Sequence, residues 1–359
     1  MTRDLEPPYG ERDAAGMAAL IEGAPEQIEQ ALERVAASPW RPPAASPDLL
    51  VVGAMGGSAI AADLAAGVDA DRLPRPLFTV RDYRWPACVT RASLALLASY
   101  SGGTEETLAL YREAGARGIP RVAITTGGSL ADLCARDGVP FARLPAGMPP
   151  RAALYSSWIA VTALLHALGW TDDPAPAWRE TARRLRARNA EWAPAAPEAR
   201  NPAKRLARAL DQRLVFVYCG SERLGPVATR VRNQINENAK LLAHSALVPE
   251  LNHNEIVGWE KPGIASGRAA AWILRDAEDS PEVAARIALT AEHLRRQGVP
   301  VVESNETEGG RLARVASLVH LGDYVSLYLA LLNGVDPTPI ASITEFKRLL
   351  SEGRERRAR

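Results

Sequence analysis

The feature that most limits what this chain can fold into is a regular alternation of short apolar runs with amphipathic segments. Leu49–Val52, Leu77–Val80, Leu94–Ser99, Arg121–Thr125 and Pro140–Leu144 have the length and composition of buried strands. Ser58–Ala66, Glu105–Gly115 and Leu130–Arg136 fall between them with helical spacing. Strands without a polar face need cover on both sides, so the pattern predicts an α/β fold, a parallel sheet between helical layers. Arg151–Leu168, a long and mostly apolar helix, closes this first unit. The pattern then restarts with strand Leu214–Tyr218, helix Pro226–Leu242, strand Ala269–Leu274, helix Pro281–Gln297 and strand Pro300–Glu303. Helices at Leu312–Leu332 and Ile343–Glu352 complete it. The division is therefore 1–47, a helix over about Asp13–Ala37 with a Pro-rich connector; 48–170, a first α/β unit; 171–205, a helical connector around Trp178–Trp192; and 206–359, a second α/β unit.

With 359 residues the chain is long enough for two such cores. Its 43 basic and 42 acidic residues nearly cancel, which argues against nucleic acid as a partner. The start of the chain has no apolar leader segment and no run reads as reaching transmembrane length, so a cytoplasmic protein without a membrane partner is expected. Three scattered cysteines and five scattered histidines form no evident ligand set, and neither metal nor cofactor is expected.

Two glycine-rich turns follow predicted strands. Gly53-Ala54-Met55-Gly56-Gly57-Ser58 leads into one helix, and Ser99-Tyr100-Ser101-Gly102-Gly103-Thr104 into another. Neither is a Walker A loop or a dinucleotide fingerprint. Backbone N–H groups converging at a helix start favour an anion, and the carboxyl ends of parallel strands are where such sheets bind ligands. The plainer reading of the second turn is a helix cap, with Thr104 capping and Glu106 or Thr107 completing a capping box. Both turns lack Arg and Lys, so a phosphate there is held by neutral donors.

The segment Asn233–Gly258 departs from the Ala-, Arg-, Leu- and Pro-rich remainder. It holds five of the nine asparagines together with Glu237, Lys240, His244, His253 and Glu255. Lysine is scarce, with Lys204, Lys240, Lys261 and Lys347 against 39 arginines, which gives weight to each position where a compact ammonium persists. Arg151, after Pro149-Pro150, is expected in the first turn of its helix, where a cation opposes the helix dipole and calls for a compensating anion. His166 and His320, on apolar helices, are expected in the core or an interface.

Taken together, GGSAI, SYSGGTEET, PPRAAL at Pro149–Leu154, NQINENAK at Asn233–Lys240, ELNHNEIVGW at Glu250–Trp259 and GDYVSLYLALLNGVDPTPI at Gly322–Ile340 resemble the bifunctional phosphoglucose/phosphomannose isomerase family, which carries two SIS (sugar isomerase) domains in tandem. The resemblance implies flavodoxin-like three-layer domains and an aldose–ketose isomerase of hexose 6-phosphates working without metal through a cis-enediol. It implies Glu237 as the proton shuttle between C1 and C2, His253 in ring opening from across a homodimer interface, Arg151 on the enediolate and Lys347 near the ring oxygen. It places the phosphate on Gly57, Ser58, Ser99, Ser101 and Thr104. The chain departs from the family pattern at Ala61, Ala62, Gly103 and Arg230-Val231-Arg232.

Each role has a physical counterpart. One carboxylate within reach of two adjacent carbons can move the proton both ways. A guanidinium that never loses its proton suits the enediolate oxygen, and imidazole suits ring opening near neutral pH. Remote phosphate binding orients the reacting carbons. A non-catalytic phosphosugar-binding regulator needs only the phosphate turns, and isomerisation of another phosphosugar needs the same groups. Both are alternatives to the hexose 6-phosphate reading.

Overall fold

Among the described residues every strand pair is parallel, as runs apolar on both faces require. The computed structural model describes residues 4–42, 46–261, 263 and 267–358, so part of the Pro-rich connector lies outside the described residues. The first sheet comprises β1 (Leu49–Ala54), β2 (Leu77–Val80), β3 (Ser93–Ala98), β4 (Arg121–Thr125) and β5 (Phe141–Arg143), ordered β2-β1-β3-β4-β5. The second comprises β6 (Leu214–Gly220), β7 (Ala243–Val248), β8 (Ala269–Asp276) and β9 (Val301–Glu306), ordered β7-β6-β8-β9. Matched by position, the second sheet repeats the order of the first four strands of the first. Such an order reverses direction between β1 and β3, and a crevice opens at their carboxyl ends.

The helices are α1 (Met17–Glu22), α2 (Ala24–Ala37), α3 (Gly56–Val68), α4 (Glu105–Ala116), α5 (Gly128–Asp137), α6 (Leu154–Ala167), α7 (Ala175–Trp192), α8 (Pro202–Leu210), α9 (Ser221–Gln234), α10 (Glu255–Gly258), α11 (Pro281–Arg296), α12 (Arg311–Leu332) and α13 (Ala341–Ala358). The connector is not a loose tether. Trp178 of α7 is fully buried, meets Trp158 of α6 edge to face at 5.0 Å, and donates its indole N–H to Thr162 at 2.9 Å.

Several expectations are corrected. The N-terminal helix breaks at Gly23 into α1 and α2. β7 is an additional strand, which the sequence shows only as the short apolar run Ala246–Val248. The helix expected to run to Leu242 ends at Gln234, gives way to a π turn over Ile235–Ala239, and stops at Lys240 in the left-handed region (φ 54°). Arg151 lies not in the first turn of α6 but in a separate 3-10 turn, Pro150–Ala152, which begins after Pro149, held extended by the proline that follows it. His166 is exposed at the end of α6, whereas His320 is core.

α12 is the common core of the molecule, packing on α7, α8 and α9, with every residue from Leu312 to Leu332 buried. It is long and apolar enough to cross a membrane, contrary to expectation, and all of that surface is covered by the rest of the chain. At its start, Arg311 ties the two units together by bonding the Val68 carbonyl (3.1 Å), Asp71 and Glu278.

Candidate active site

The two glycine-rich turns meet at the crevice between β1 and β3. Ser58, in the first turn of α3, is buried and its Oγ accepts the N–H of Tyr100 at 3.2 Å, so one turn is pinned to the other. Ser99 is buried, with its Oγ 2.8 Å from Thr104 Oγ1, and Ser101 is exposed at the rim. Gly102 has φ +68°, and a Cβ there would stand 1.8 Å from the Gly127 carbonyl, so only glycine fits. Thr104 stands at the N-cap position of α4, as the helix-cap reading expects, but its side chain does not cap the helix. Its hydroxyl is turned to Ser99, and neither α4 nor α3 has a side-chain cap. The starts of α3 and α4, helices of 13 and 12 residues, are thus adjacent, without side-chain caps and set among hydroxyls, an arrangement that favours an anion.

The corresponding turn of the second unit follows β8 and reads Asp276-Ala277-Glu278-Asp279. Its carboxylates repel phosphate, and Asp276 and Glu278 are engaged by Arg223, Arg311 and Arg314. Among the described residues, an uncharged cradle of hydroxyls at the strand ends is found in the first unit.

Arg151 adjoins that cradle. A Cβ on Gly57 would lie 3.0 Å from the Pro150 carbonyl and 3.3 Å from Arg151 Cα, so the first turn of α3 rests directly on the turn bearing the arginine. The Arg151 side chain is 4% exposed and reaches across to the second unit. Its Nε donates to Asn238 Oδ1 at 2.7 Å, and its Nη2 donates to the carbonyls of Pro337 and Thr338, both at 2.8 Å. Nη1 faces Glu237 Oε2 at 3.6 Å. Burial weakens the hold of this guanidinium on its proton and Glu237 strengthens it; the ordinary arginine pKa is so high that the group stays charged.

Glu237 is at the centre of the π turn, half-buried, with Asn236 and Asn238 on either side in sequence. The wider π spiral turns successive side chains off the α-helical register, a distortion common at functional sites. Asn238 is buried and passes the Arg151 contact on to Ser326 of α12 at 2.9 Å. Behind it, Arg230 donates to both oxygens of Asp323 at 3.0 Å and to the Arg151 carbonyl at 2.8 Å. Gln234 adds a 2.9 Å bond to Asp323. Asp323 is buried, and burial raises its pKa against the opposing pull of Arg230. The departure at Arg230-Val231-Arg232 thus leaves Arg230 as the anchor beneath the arginine turn.

Two expected residues stand apart from this group. His253 is exposed, ends a short 3-10 turn, and makes no hydrogen bond to Arg151, Glu237 or the cradle. β7 begins beside the π turn, where the Ala243 N–H donates to Asn236 Oδ1 at 2.9 Å, and runs about 16 Å before the His253 turn follows it. Lys347 is exposed on α13, a helix whose Ile343, Phe346, Leu349 and Leu350 also face solvent.

Comparison with known proteins bears on the family and the fold. Residues 199–350 match the bacterial phospho-glucose isomerase C-terminal SIS domain. A bifunctional phosphoglucose/phosphomannose isomerase from Caldicellulosiruptor bescii is 38% identical over 91% of this chain and 97% of its own. The chain belongs to that family. A relative of the same name from Aquifex aeolicus is 32% identical over 83% of this chain and 89% of its own. Among solved structures, a hypothetical protein from Thermus thermophilus shares the fold at TM-score 0.73 and 17% identity, over 94% of this chain and 90% of that one.

The sequence left three contributors to the surroundings of Arg151 unassigned. Asn238 orients Arg151, the carbonyls of Pro337 and Thr338 hold it, and Lys240 shares the Pro337 carbonyl with it. The motifs NQINENAK and GVDPTPI contain them, yet main-chain carbonyls leave no side-chain signature to read.

Proposed function

We propose that this member of the family interconverts fructose 6-phosphate with glucose 6-phosphate and mannose 6-phosphate, with Glu237 as the proton carrier and Arg151 as the enediolate partner. The observation that carries this reading is the Arg151–Glu237 pair. Nε and Nη2 of Arg151 are engaged, and Nη1 is aimed at Glu237 beside a phosphate cradle. With the phosphate on Gly57, Ser58, Ser99, Ser101 and Thr104, the sugar extends from the α3 and α4 starts toward that pair. Glu237 removes the proton from C2 of the open aldose, the electrons move onto O1 to give the cis-enediolate, and Arg151 Nη1 offsets the new charge. A proton passes from O2 to O1, and the same carboxylate, now protonated, delivers its proton to C1 as the C2 carbonyl forms. Both aldoses give the same enediolate, so one site serves both.

Ring opening falls to His253 supplied by a second copy, and Lys347 is brought toward the ring oxygen when α13 is covered by that copy. The exposed apolar side chains of α13 support a homodimer. The two sheets support units at 48–170 and 206–359 joined by 171–205, and three unpaired cysteines suit a cytoplasmic setting.

The deciding experiment is a coupled assay of the purified protein and of Glu237→Gln on both aldose phosphates. Activity of the native chain on both, with loss of about three orders of magnitude in the variant, is the expected result. Tight binding without turnover by the native chain would instead establish a regulator.

A further inference from the structure

Lys240 ends the π turn in the left-handed region (φ 54°), a conformation that helix ends ordinarily assign to glycine or asparagine. Its stem is exposed, but its ammonium is folded onto main-chain carbonyls. Nζ donates to Glu237 O at 2.9 Å, Asn238 O at 3.3 Å, Asp336 O at 2.9 Å and Pro337 O at 3.0 Å. The Pro337 carbonyl is the one that also accepts from Arg151 Nη2. One point charge therefore joins the turn carrying Glu237 to the loop carrying the acceptors of Arg151. A planar guanidinium fork cannot converge on four carbonyls around a point, which explains a lysine in so arginine-rich a chain. Burial and the nearby Arg151 both lower its pKa, so the cation is held where its charge is disfavoured.

We propose that Lys240 is a positioning residue for the isomerisation, fixing the separation of the Glu237 carboxylate and the Arg151 guanidinium through the carbonyls of residues 237, 238, 336 and 337. It touches neither reacting side chain, and the proposal rests on the assignment of Glu237 and Arg151 above. The backbone and the ammonium make opposite demands here. Glycine suits the left-handed backbone but lacks the ammonium, and methionine keeps the stem without the charge.

Both Lys240→Gly and Lys240→Met are expected to lower kcat about 10- to 100-fold while KM for fructose 6-phosphate stays within about twofold, because the cradle lies on other turns. Methylammonium added to Lys240→Gly is expected to recover part of kcat, and tetramethylammonium, which has no N–H for the carbonyls, none. Unchanged kcat in both variants would overturn the proposal. So would a fall in kcat matched by a rise in KM and a lower melting temperature, the mark of a general folding role. Glu237→Gln, assayed alongside, separates the two layers of argument. If it remains active, the site assignment and this inference fall together; if it is inactive while the Lys240 variants are fully active, only this inference falls.

Discussion

Arg151 shows how a buried cation is given one task. Its bonds to Asn238, Pro337 and Thr338 fix the guanidinium plane and leave Nη1 toward Glu237. An ammonium cannot fill those positions at once, so Arg151→Lys is expected to lower kcat by about 100-fold or more, measured in the coupled assay. In the cradle, Thr104→Val removes the partner of Ser99 Oγ but leaves the carboxylate–guanidinium pair intact. KM is expected to rise several-fold, about 1 kcal/mol of lost binding, with kcat nearly unchanged. At this scale the sequence was informative where a motif was dense. Glu237 stands between two asparagines and was legible. Asn238, which orients Arg151 from 87 residues away, was not, because nothing local marks a long-range partner.

The turns between elements bring the proposed site residues together. The helix starts of α3 and α4 are left without side-chain caps: the Thr104 hydroxyl bonds Ser99, and Ser58 Oγ accepts the Tyr100 N–H of the neighbouring turn. Gly102 permits this crossing. Gly102→Ala places a methyl against the Gly127 carbonyl at φ +68° and is expected to destabilise the protein by about 2 kcal/mol or more in chemical denaturation, with weakened phosphate binding. Gly103 differs. A Cβ there meets only Ser101 Oγ, at 4.0 Å, so Gly103→Asn is expected to change stability by less than about 0.5 kcal/mol. The strand and helix pattern was legible because apolar periodicity is local. β7 and the π turn were not. β7 is an edge strand of mixed burial, and the π turn answers to the packing of Asn238 against Ser326 and of Ala239 against Asn333 rather than to any local preference.

Across the whole molecule, the units are joined by a charge cluster at the start of α12. Arg311 and Arg314 hold Glu278 down to a pKa of about 2 from its ordinary value of 4.5, and Arg311 likewise lowers that of Asp71. A carboxylate whose pKa is depressed on folding stabilises the native state above its unfolded pKa and loses that contribution as pH falls through the folded value. Thermal stability is therefore expected to drop between about pH 4.5 and pH 2, and Arg311→Ala to lower Tm at pH 7 more than at pH 2, measured by calorimetry across that range. The glutamate is partly exposed, so solvent screening keeps the effect modest. The assembly makes a separate prediction. If His253 serves the partner's site, Glu237→Gln and His253→Ala are each inactive as pure dimers, and unfolding and refolding them together restores activity in heterodimers, where one site has both residues intact. No recovery in the mixture would place His253 within its own chain's site.

The sequence by itself determined the α/β architecture, the tandem repetition and the family, because strand and helix periodicities and dense polar motifs are local properties of the chain. It also singled out the carboxylate and the guanidinium. The tertiary structure alone decided that they meet, at 3.6 Å between Arg151 Nη1 and Glu237 Oε2. It alone turned the carbonyls of residues 336–338 toward Arg151 and Lys240. Those outcomes depend on groups far apart in the chain and on backbone atoms common to every residue, and only a folded chain gives such atoms an address.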